Sequence, residues 1–204
     1  MKTWLEEVKL TGDTVSLVPL SSDHRDALVE ASSDGRLWEL WFTGAPSAET
    51  VDSYIESALA DKVRGVALPF VVFENRTGRI IGSTRYCHAE PEHRRLEIGY
   101  TWYAQRFQRT TVNTECKQLL LTHAFETLRT VAVEFRTHWH NEASRRAIAR
   151  LGAKQDGVLR NHRIEPDGAY RDTVVFSIIE HEWPTVKKSL AFKLARLRER
   201  ANGG

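Results

Sequence analysis

The sequence predicts one α/β (α+β) domain, a mixed sheet with helices on both of its faces. Three observations lead to this prediction. The chain has 204 residues, the size of a single domain. Short apolar segments of strand length alternate with longer segments in which apolar residues recur every three or four positions. No internal repeat and no low-complexity linker divides them.

The composition excludes several classes of protein. Hydrophobic residues make up 41% of the chain and charged residues 27%, unlike a disordered or collagen-like protein. No apolar run reaches the ~18–20 residues of a membrane span, and the first residues are acidic where a signal peptide is basic and apolar. Only Cys87 and Cys116 are present, so we expect a reduced, cytoplasmic protein. A net charge of +2 is too small to indicate nucleic-acid binding.

The first half of the chain predicts strands and helices in a fixed order. Residues 15–20 alternate between apolar and polar and form a strand, and the Ser-Ser-Asp cluster after it caps a helix through Leu28. A second helix follows Ser47, with apolar residues at helical spacing. Three strands come next, the first two joined by a tight turn that contains Gly78: residues 68–73, 80–86 and 95–103.

In the second half of the chain, the spacing of the apolar residues changes repeatedly between that of a helix and that of a strand. Residues 115–128 predict a buried helix, residues 131–137 a strand, and residues 141–151 a helix that ends at Gly152. Two strands, 158–164 and 173–179, then pair as a closing hairpin. The predicted order is β-α-α-β-β-β-α-β-α-β-β, followed by one more helix.

We place one domain at residues 1–184 and a C-terminal basic helix with a frayed end at residues 185–204. Apolar residues recur there at helical spacing: Val186, Leu190, Leu194 and Leu197. The outer face is cationic, with six basic residues and one acid between residues 187 and 200. Such a helix docks on its own domain or on a second subunit. The alternative is contact with rRNA, a ribosomal protein or an anionic membrane surface.

The loop after the third of the central strands is a candidate phosphate site. Residues 104–113 run directly into the helix that we expect to begin near Thr114. The N-terminus of a helix presents unpaired N–H groups and the positive end of a dipole. Arg106 and Arg109 lie in this loop and could clamp phosphate oxygens. The alternative is an ordinary polar loop with Thr114 as the N-cap.

The order of elements, together with several short motifs, resembles the GNAT superfamily of CoA-dependent N-acyltransferases, in particular its RimJ/RimL-like branch. The resemblance covers roughly residues 15–183. Its motifs here are Glu97-Ile98-Gly99-Tyr100, Gln108 to Glu115, Asn141-Glu142-Ala143-Ser144 through Leu151-Gly152-Ala153, Gly157 to Arg160, and Arg171-Asp172-Thr173. It implies a mostly antiparallel GNAT-like central sheet and acetyl-CoA as acyl donor, with no metal. The implied cofactor-binding residues are Trp102, Tyr103, Gln108, Arg109, Thr110, Thr111, Val112, Asn113, Thr114 and Asn141.

One departure from the family pattern concerns the pyrophosphate loop. Similar enzymes usually place glycines where this chain has Thr111 and Asn113. Glycine lets backbone N–H groups approach phosphate closely. We expect phosphate binding to survive with modified geometry.

Glu97 is the preferred general base. On a strand of period two, Glu97, Gly99 and Thr101 share one face, while Ile98, Tyr100 and Trp102 share the other. The alternative for Glu97 is a rim carboxylate paired with Arg94 or Arg95. His140, at the end of the next strand, is the second candidate, because the pKa of imidazole suits proton transfer near neutral pH; its alternative is a surface histidine.

Two residues of the following helix complete the predicted catalytic set. Asn141 is an N-cap, and in similar enzymes the asparagine at this position also binds the pantetheine arm. Ser144 matches the serine of RimL-like enzymes and is the general-acid candidate, since no tyrosine lies between Asn141 and Gly152. The alternative for Ser144 is a plain first-turn serine.

The aromatic residues Trp38, Trp41 and Phe42 are expected to line the acceptor pocket. His138, His140 and His162 lack a neighbouring cysteine or carboxylate that would complete a metal site.

We therefore expect direct transfer of an acetyl group from acetyl-CoA to a primary amine, a protein N-terminus or a small molecule, within a ternary complex. The alternative is a catalytically impaired GNAT-like module that binds CoA or a partner through its basic helix. Similar proteins often form homodimers.

Overall fold

The computed structural model describes residues 4–202, and from residue 200 onward it describes the backbone alone. Eight strands form one sheet in the spatial order β1-β2-β3-β4-β5-β6-β8-β7. The strands are β1 (Leu10–Thr11), β2 (Val15–Pro19), β3 (Leu68–Glu74), β4 (Arg79–Glu90), β5 (Arg95–Tyr103), β6 (Ala132–His138), β7 (Lys154–Ile164) and β8 (Tyr170–Ile179). Every neighbouring pair is antiparallel except β5 and β6, which run parallel. The mixed, mostly antiparallel sheet is confirmed.

Helices cover both faces of the sheet, as the sequence predicts. They are α1 (Arg25–Ser33), α2 (Val51–Val63), α3 (Val112–Thr122), α4 (Glu142–Leu151) and α5 (Trp183–Asn202). One apolar core includes Leu28 of α1 and Ile55 of α2. The other, on the opposite face, includes Leu120, Ile148 and Leu190 from α3, α4 and α5. Each strand between the two cores is therefore buried from both sides. None of the helices among residues 4–202 is long and apolar enough to span a bilayer.

Several boundaries differ from the sequence-based prediction: β4 extends to Glu90, and β7 and β8 begin at Lys154 and Tyr170, four and three residues earlier than expected. The two-residue strand β1 is too short to leave a periodic signal. Helix α3 begins at Val112, not near Thr114, because the hydroxyl of Thr110 accepts a hydrogen bond from the Val112 amide (3.3 Å). The α-helix ends at Thr122 and continues as a π-helical turn over His123–Thr127.

Helix α5 docks on its own domain. Trp183, Val186, Leu190 and Leu194 are buried, and the Trp183 ring stacks on Phe125 with centroids 5.2 Å apart. This agrees with the first of the interpretations offered for the basic segment. The frayed end expected at residues 201–204 falls partly on residues 203–204, which lie outside the described residues.

Candidate active site

The sheet opens between β5 and β6. Their pairing covers three residue pairs, from Arg95 opposite Ala132 to Glu97 opposite Glu134. Beyond Glu97 the two strands separate, and residues 98–103 have no ladder partner on the β6 side among the described residues. Backbone N–H and C=O groups in a buried position need hydrogen-bond partners. The cleft therefore offers an edge to which an extended, amide-bearing chain can add.

A β-bulge lies on β5 inside this cleft. Gly99 pairs with Arg85 and Trp102 pairs with Ser83, so that Tyr100 and Thr101 face the single residue Thr84. Tyr100 adopts a left-handed φ of 50°, which is uncommon for a residue other than glycine. A bulge disrupts the ladder locally. One residue of the Tyr100–Thr101 pair therefore has no partner of its own on β4.

The bulge corrects the predicted faces of β5. Glu97 and Gly99 lie on the side of α1 and α2, as alternation predicts, and Tyr100 joins them: Arg85 lies over the rings of both Tyr100 and Tyr54 of α2. The hydroxyl of Thr101 instead accepts a hydrogen bond from Lys117 of α3 (2.6 Å). The prediction that Thr101 shares the face of Glu97 is wrong, because the extra residue shifts the alternation by one position.

Glu97 is buried, with 6% of its surface exposed, at the point where β5 and β6 separate. Its carboxylate forms a hydrogen bond with Nδ1 of His88 (2.8 Å) and lies 3.6 Å from Nε of Arg136. The predicted alternative, pairing with Arg94 or Arg95, is wrong for Arg95, which pairs with Glu134. The hydrogen bond to Glu97 raises the pKa of His88 above its usual value.

Cys87 lies close to Glu97 and His88, and one ligand atom of each falls within 4.8 Å of the others. A thiol, an imidazole and a carboxylate at this spacing could hold a metal ion. However, burial raises the pKa of the Cys87 thiol well above its usual value. A metal bound here would have to displace the proton of this buried thiol.

The loop before α3 is exposed and leads into the first turn of that helix. Gln108, Arg109 and Thr110 are all exposed, and Arg109 adopts a φ of 60°. Arg106 is held by Asp34 (2.9 Å), so that Arg109 is the more available cation. The side chain of Gln108 donates a hydrogen bond to the carbonyl of Tyr103 (3.0 Å). This contact ties the loop to the end of β5.

The positions without the expected glycines have ordinary backbone geometry. Thr111 is the N-cap of α3 with a φ of −70°, and Asn113 lies in the first helical turn. Neither residue needs a left-handed φ, so the backbone here does not require glycine for its conformation; how phosphate binds at these residues stays a prediction. Val112 and Thr114 are buried, and the Thr114 hydroxyl accepts a hydrogen bond from Arg150 (3.2 Å). They have only their amides to offer a ligand.

The N-terminus of α4 lies at the same end of the sheet as that of α3. The two helices follow β6 and β5, which are parallel, so their N-termini both lie beyond carboxyl ends of strands. The predicted cap is confirmed: Oδ1 of Asn141 accepts a hydrogen bond from the amide of Ser144 (3.0 Å). Both side chains are partly accessible.

The segment expected to line the acceptor pocket contacts the end of β6. The Trp41 ring lies 4.7 Å from that of His138 and 6.0 Å from that of His140, and it also packs against Phe42 (5.5 Å). His138 is buried, which lowers its pKa, whereas His140 is exposed. Trp38, which is half-buried, makes no ring contact with this group within residues 4–199. Of the four residues in contact, Trp41, Phe42 and His140 are predicted site residues, and His138 is the additional one.

Two buried cations are not predicted from the sequence: Arg85 on β4 and Lys117 on α3. Arg85 is 3% exposed and Lys117 is 5% exposed. The only signal for Arg85 is a charged residue in the middle of an otherwise apolar and small-residue strand. In the sequence, Lys117 looks like an ordinary polar residue on the exposed face of an amphipathic helix.

Comparison with known proteins relates the chain to acetyltransferases. The profile of the acetyltransferase (GNAT) domain family matches residues 14–154. Over 176 residues the chain is 24% identical to the uncharacterized N-acetyltransferase YoaA of Bacillus subtilis (strain 168), covering 84% of this chain and 96% of the relative.

Two solved structures share the fold. A GCN5-related N-acetyltransferase from Brucella melitensis superposes with a TM-score of 0.83 at 27% identity, over 93% of this chain and 86% of that one. Mycobacterium smegmatis RimJ, solved in complex with CoA-disulfide, gives a TM-score of 0.73 at 23% identity, with 88% of each chain covered. The chain described here belongs to the GNAT family of acetyltransferases.

Proposed function

We propose that this protein transfers an acetyl group from acetyl-CoA directly to a primary amine within a ternary complex. The observation that carries the proposal is the edge of β5 at residues 98–103, which has no ladder partner on the β6 side in the described part of the chain, with the N-termini of α3 and α4 beyond the same end of the sheet. The pantetheine arm of CoA carries two amide groups that suit this edge. Its pyrophosphate suits the amides of residues 112–114 beside Arg109.

The residues of the cleft then have distinct roles. Acetyl-CoA supplies an activated thioester. Glu97 takes the proton from the attacking amine, and its burial beside the bulge favours that role. The amides of Tyr100 and Thr101 donate hydrogen bonds to the carbonyl oxygen as negative charge develops there. Asn141 orients the arm, and Ser144 donates a proton to the departing sulfur. His140 is the second candidate for the base.

The geometry favours the enzyme over the impaired binding module. That alternative rests on the missing glycines, yet α3 begins as a regular helix with Thr111 at an ordinary φ and Asn113 in its first turn, which supports a working cofactor site. Both cysteines are free and buried, which supports a reducing, cytoplasmic location. The partly exposed Trp41 and Phe42 beside β6 support an acceptor site there, for a protein N-terminus or a small amine.

The first experiment measures cofactor binding and transfer together. Acetyl-CoA at a hundredfold excess over its Kd should stabilise the protein by about 2.7 kcal/mol in a thermal-shift assay, and a panel of amines should release free thiol. Arg109→Ala should weaken acetyl-CoA binding about tenfold, since it removes an exposed phosphate partner. Arg106→Ala, which removes a cation already paired with Asp34, is the matched control. Binding without thiol release on any amine would favour the binding module.

A further inference from the structure

Arg85 is a buried cation without a counter-ion. Its side chain lies on β4 in the centre of the sheet, and 3% of the residue is exposed. The guanidinium carbon lies 3.9 Å from the centre of the Tyr100 ring and 5.0 Å from that of Tyr54. Nε is buried and has no hydrogen-bond partner in the described part of the chain. The ring faces stabilise the positive charge but supply no oxygen to accept its N–H groups.

Three other partly buried arginines also have an Nε without a hydrogen-bond partner, but each of these three has a carboxylate as counter-ion. Arg136 pairs with Glu134 (3.0 Å), Arg171 with Glu165 (3.5 Å) and Arg198 with Asp13 (2.7 Å). Among residues 4–199, no carboxylate lies within ion-pair distance of Arg85, although it is more buried than these three. Removing a charge from water without a partner is unfavourable. A ligand anion would relieve that cost.

The position of Arg85 indicates which ligand brings the anion. Arg85 is paired in register with Gly99, next to the bulge, and it lies on the α1/α2 face with Glu97. The Tyr100 ring over it is 46% exposed, so that the group lies near the surface of the cleft. The proposed phosphate site is elsewhere, at the N-terminus of α3. An anion at Arg85 would therefore belong to the acceptor and not to the nucleotide of the donor.

We propose that Arg85 binds a carboxylate of the acceptor, held edge-on beside the rings of Tyr54 and Tyr100, so that the preferred acceptor is an amine with a carboxylate a few bonds from its nitrogen. This rests on the proposed transfer to an amine. A planar carboxylate can accept two parallel N–H bonds from a guanidinium. The carboxylate has two possible sources, the α-carboxylate of a free amino acid or the side chain of an N-terminal Asp or Glu in a peptide.

Matched acceptor pairs test the site. Alanine is compared with alaninamide, and peptides that begin with Asp or Glu are compared with the same peptides that begin with Asn or Gln. The wild-type protein should favour the carboxylate member of one pair by about tenfold or more in kcat/KM, and the pair that shows the preference identifies the source. Arg85→Met should abolish that preference. Arg79→Gln, which removes an exposed cation from the same strand, should retain it.

Two further measurements separate a binding role from a structural one. Arg85→Met should melt at the same temperature as the wild type or higher, because an unpaired buried charge is replaced by an apolar side chain of similar length. Arg85→Lys keeps the charge but loses the planar fork, and should raise KM for the carboxylate acceptor and not for its amide.

The outcomes distinguish the two proposals. Equal turnover of both members of each pair by the wild-type protein would overturn the carboxylate site and leave the transferase intact. A preference that survives in Arg85→Met would also overturn it. An absence of thiol release with every amine would instead defeat the proposed transfer. In that case, calorimetry with alanine and with the peptides that begin with Asp or Glu still tests the anion site: binding of either to the wild type and not to Arg85→Met would support it, and binding of neither to the wild type would overturn it too.

Discussion

Glu97 and Gly99 have to be considered together. A Cβ atom at residue 99 would lie 2.9 Å from Oε1 of Glu97 and 3.1 Å from Sγ of Cys87. Both distances are shorter than ordinary van der Waals contact, and the neighbours are packed inside the sheet. The missing side chain at residue 99 therefore makes the room that the Glu97 carboxylate occupies. His88 and Arg136 hold that carboxylate at the base of the cleft.

At this scale we predict that Glu97→Gln lowers kcat by about 10²–10⁴-fold, because the amide cannot accept the proton of the amine. Ser144→Ala should also lower kcat. Acetyl-CoA binding should change little in either variant, which calorimetry can measure. Glu134→Gln is the control: this carboxylate lies opposite Glu97 in the register but pairs with Arg95 and Arg136. Unchanged turnover in Glu97→Gln and Ser144→Ala would remove both assignments.

Helix α5 closes one face of the sheet, and its charged residues also make contacts within the domain. Lys187 pairs with Glu126 (2.7 Å) and Arg198 with Asp13 (2.7 Å). Glu126 also accepts a hydrogen bond from the indole of Trp183 (2.9 Å). Glu126 lies in the π-helical turn after α3, so that this turn forms part of the surface against which α5 packs. Part of the cationic face is thus used internally and is not free for an anionic partner.

At the scale of the element, Trp183→Ala should destabilise the protein by about 3–5 kcal/mol, because it removes a buried ring and its stacking partner's contact. Urea unfolding followed by fluorescence or circular dichroism measures the change. Phe192→Ala on the same helix, where the side chain is 61% exposed, should change stability by less than about 0.5 kcal/mol. Similar small effects of both substitutions would mean that α5 does not dock in solution as described.

At the scale of the whole molecule, stability depends on a charged group in the interior, the ammonium of Lys117. Burial lowers the pKa of Lys117 to about 8, while its ammonium donates to Thr101 (2.6 Å) and Thr84 (3.4 Å). A pKa lower in the folded state means that the unfolded chain binds more protons between pH 8 and about 10.4. The contribution of Lys117 to stability therefore rises with pH through this window. Below pH 8 the buried ammonium lowers the free energy of unfolding by its full amount, on the order of 3 kcal/mol.

We predict that Lys117→Met is more stable than the wild type at pH 7 by about 1–3 kcal/mol. Thr84 and Thr101 already form a hydrogen bond with each other in the wild type (2.7 Å), so that neither hydroxyl depends on Lys117 alone for a partner. The difference should narrow as pH rises towards 10, measured by urea unfolding at several pH values. Comparing the two proteins cancels the opposite trend of buried tyrosines, whose pKa is raised. Lys188→Met, an exposed residue, should show no such pH dependence, and a constant difference for Lys117→Met would contradict the assignment.

Local signals predict much of this architecture. The limits of β5 agree with the alternation of apolar residues over 95–103, and those of α4 agree with a cap at Asn141 and a left-handed Gly152 (φ 108°). Both features depend on residues that are near one another in the sequence. The start of α3 at Val112 lies two residues before the predicted start near Thr114, since several Thr and Asn residues in a row are all plausible caps.

Features that depend on tertiary contacts were not predictable from one sequence. The bulge at Tyr100 follows from the register between β4 and β5, which alternation along β5 alone does not contain. The cluster around Arg85 joins residues 54, 85 and 100 from three elements. The roles of Glu97, Ser144 and the cofactor loop stay predictions, although the fold brings the strand and the two helix N-termini to one cleft.

The short contact between β5 and β6 has a mechanical consequence. Strands β1–β5 form one ribbon and β6–β8 another, and in the sheet they are joined through three residue pairs. Opening of a fold costs least where few hydrogen bonds must break. The junction between β5 and β6 is therefore where the two groups of strands move apart most readily. An extended ligand bound along it would contact both groups and hold them together.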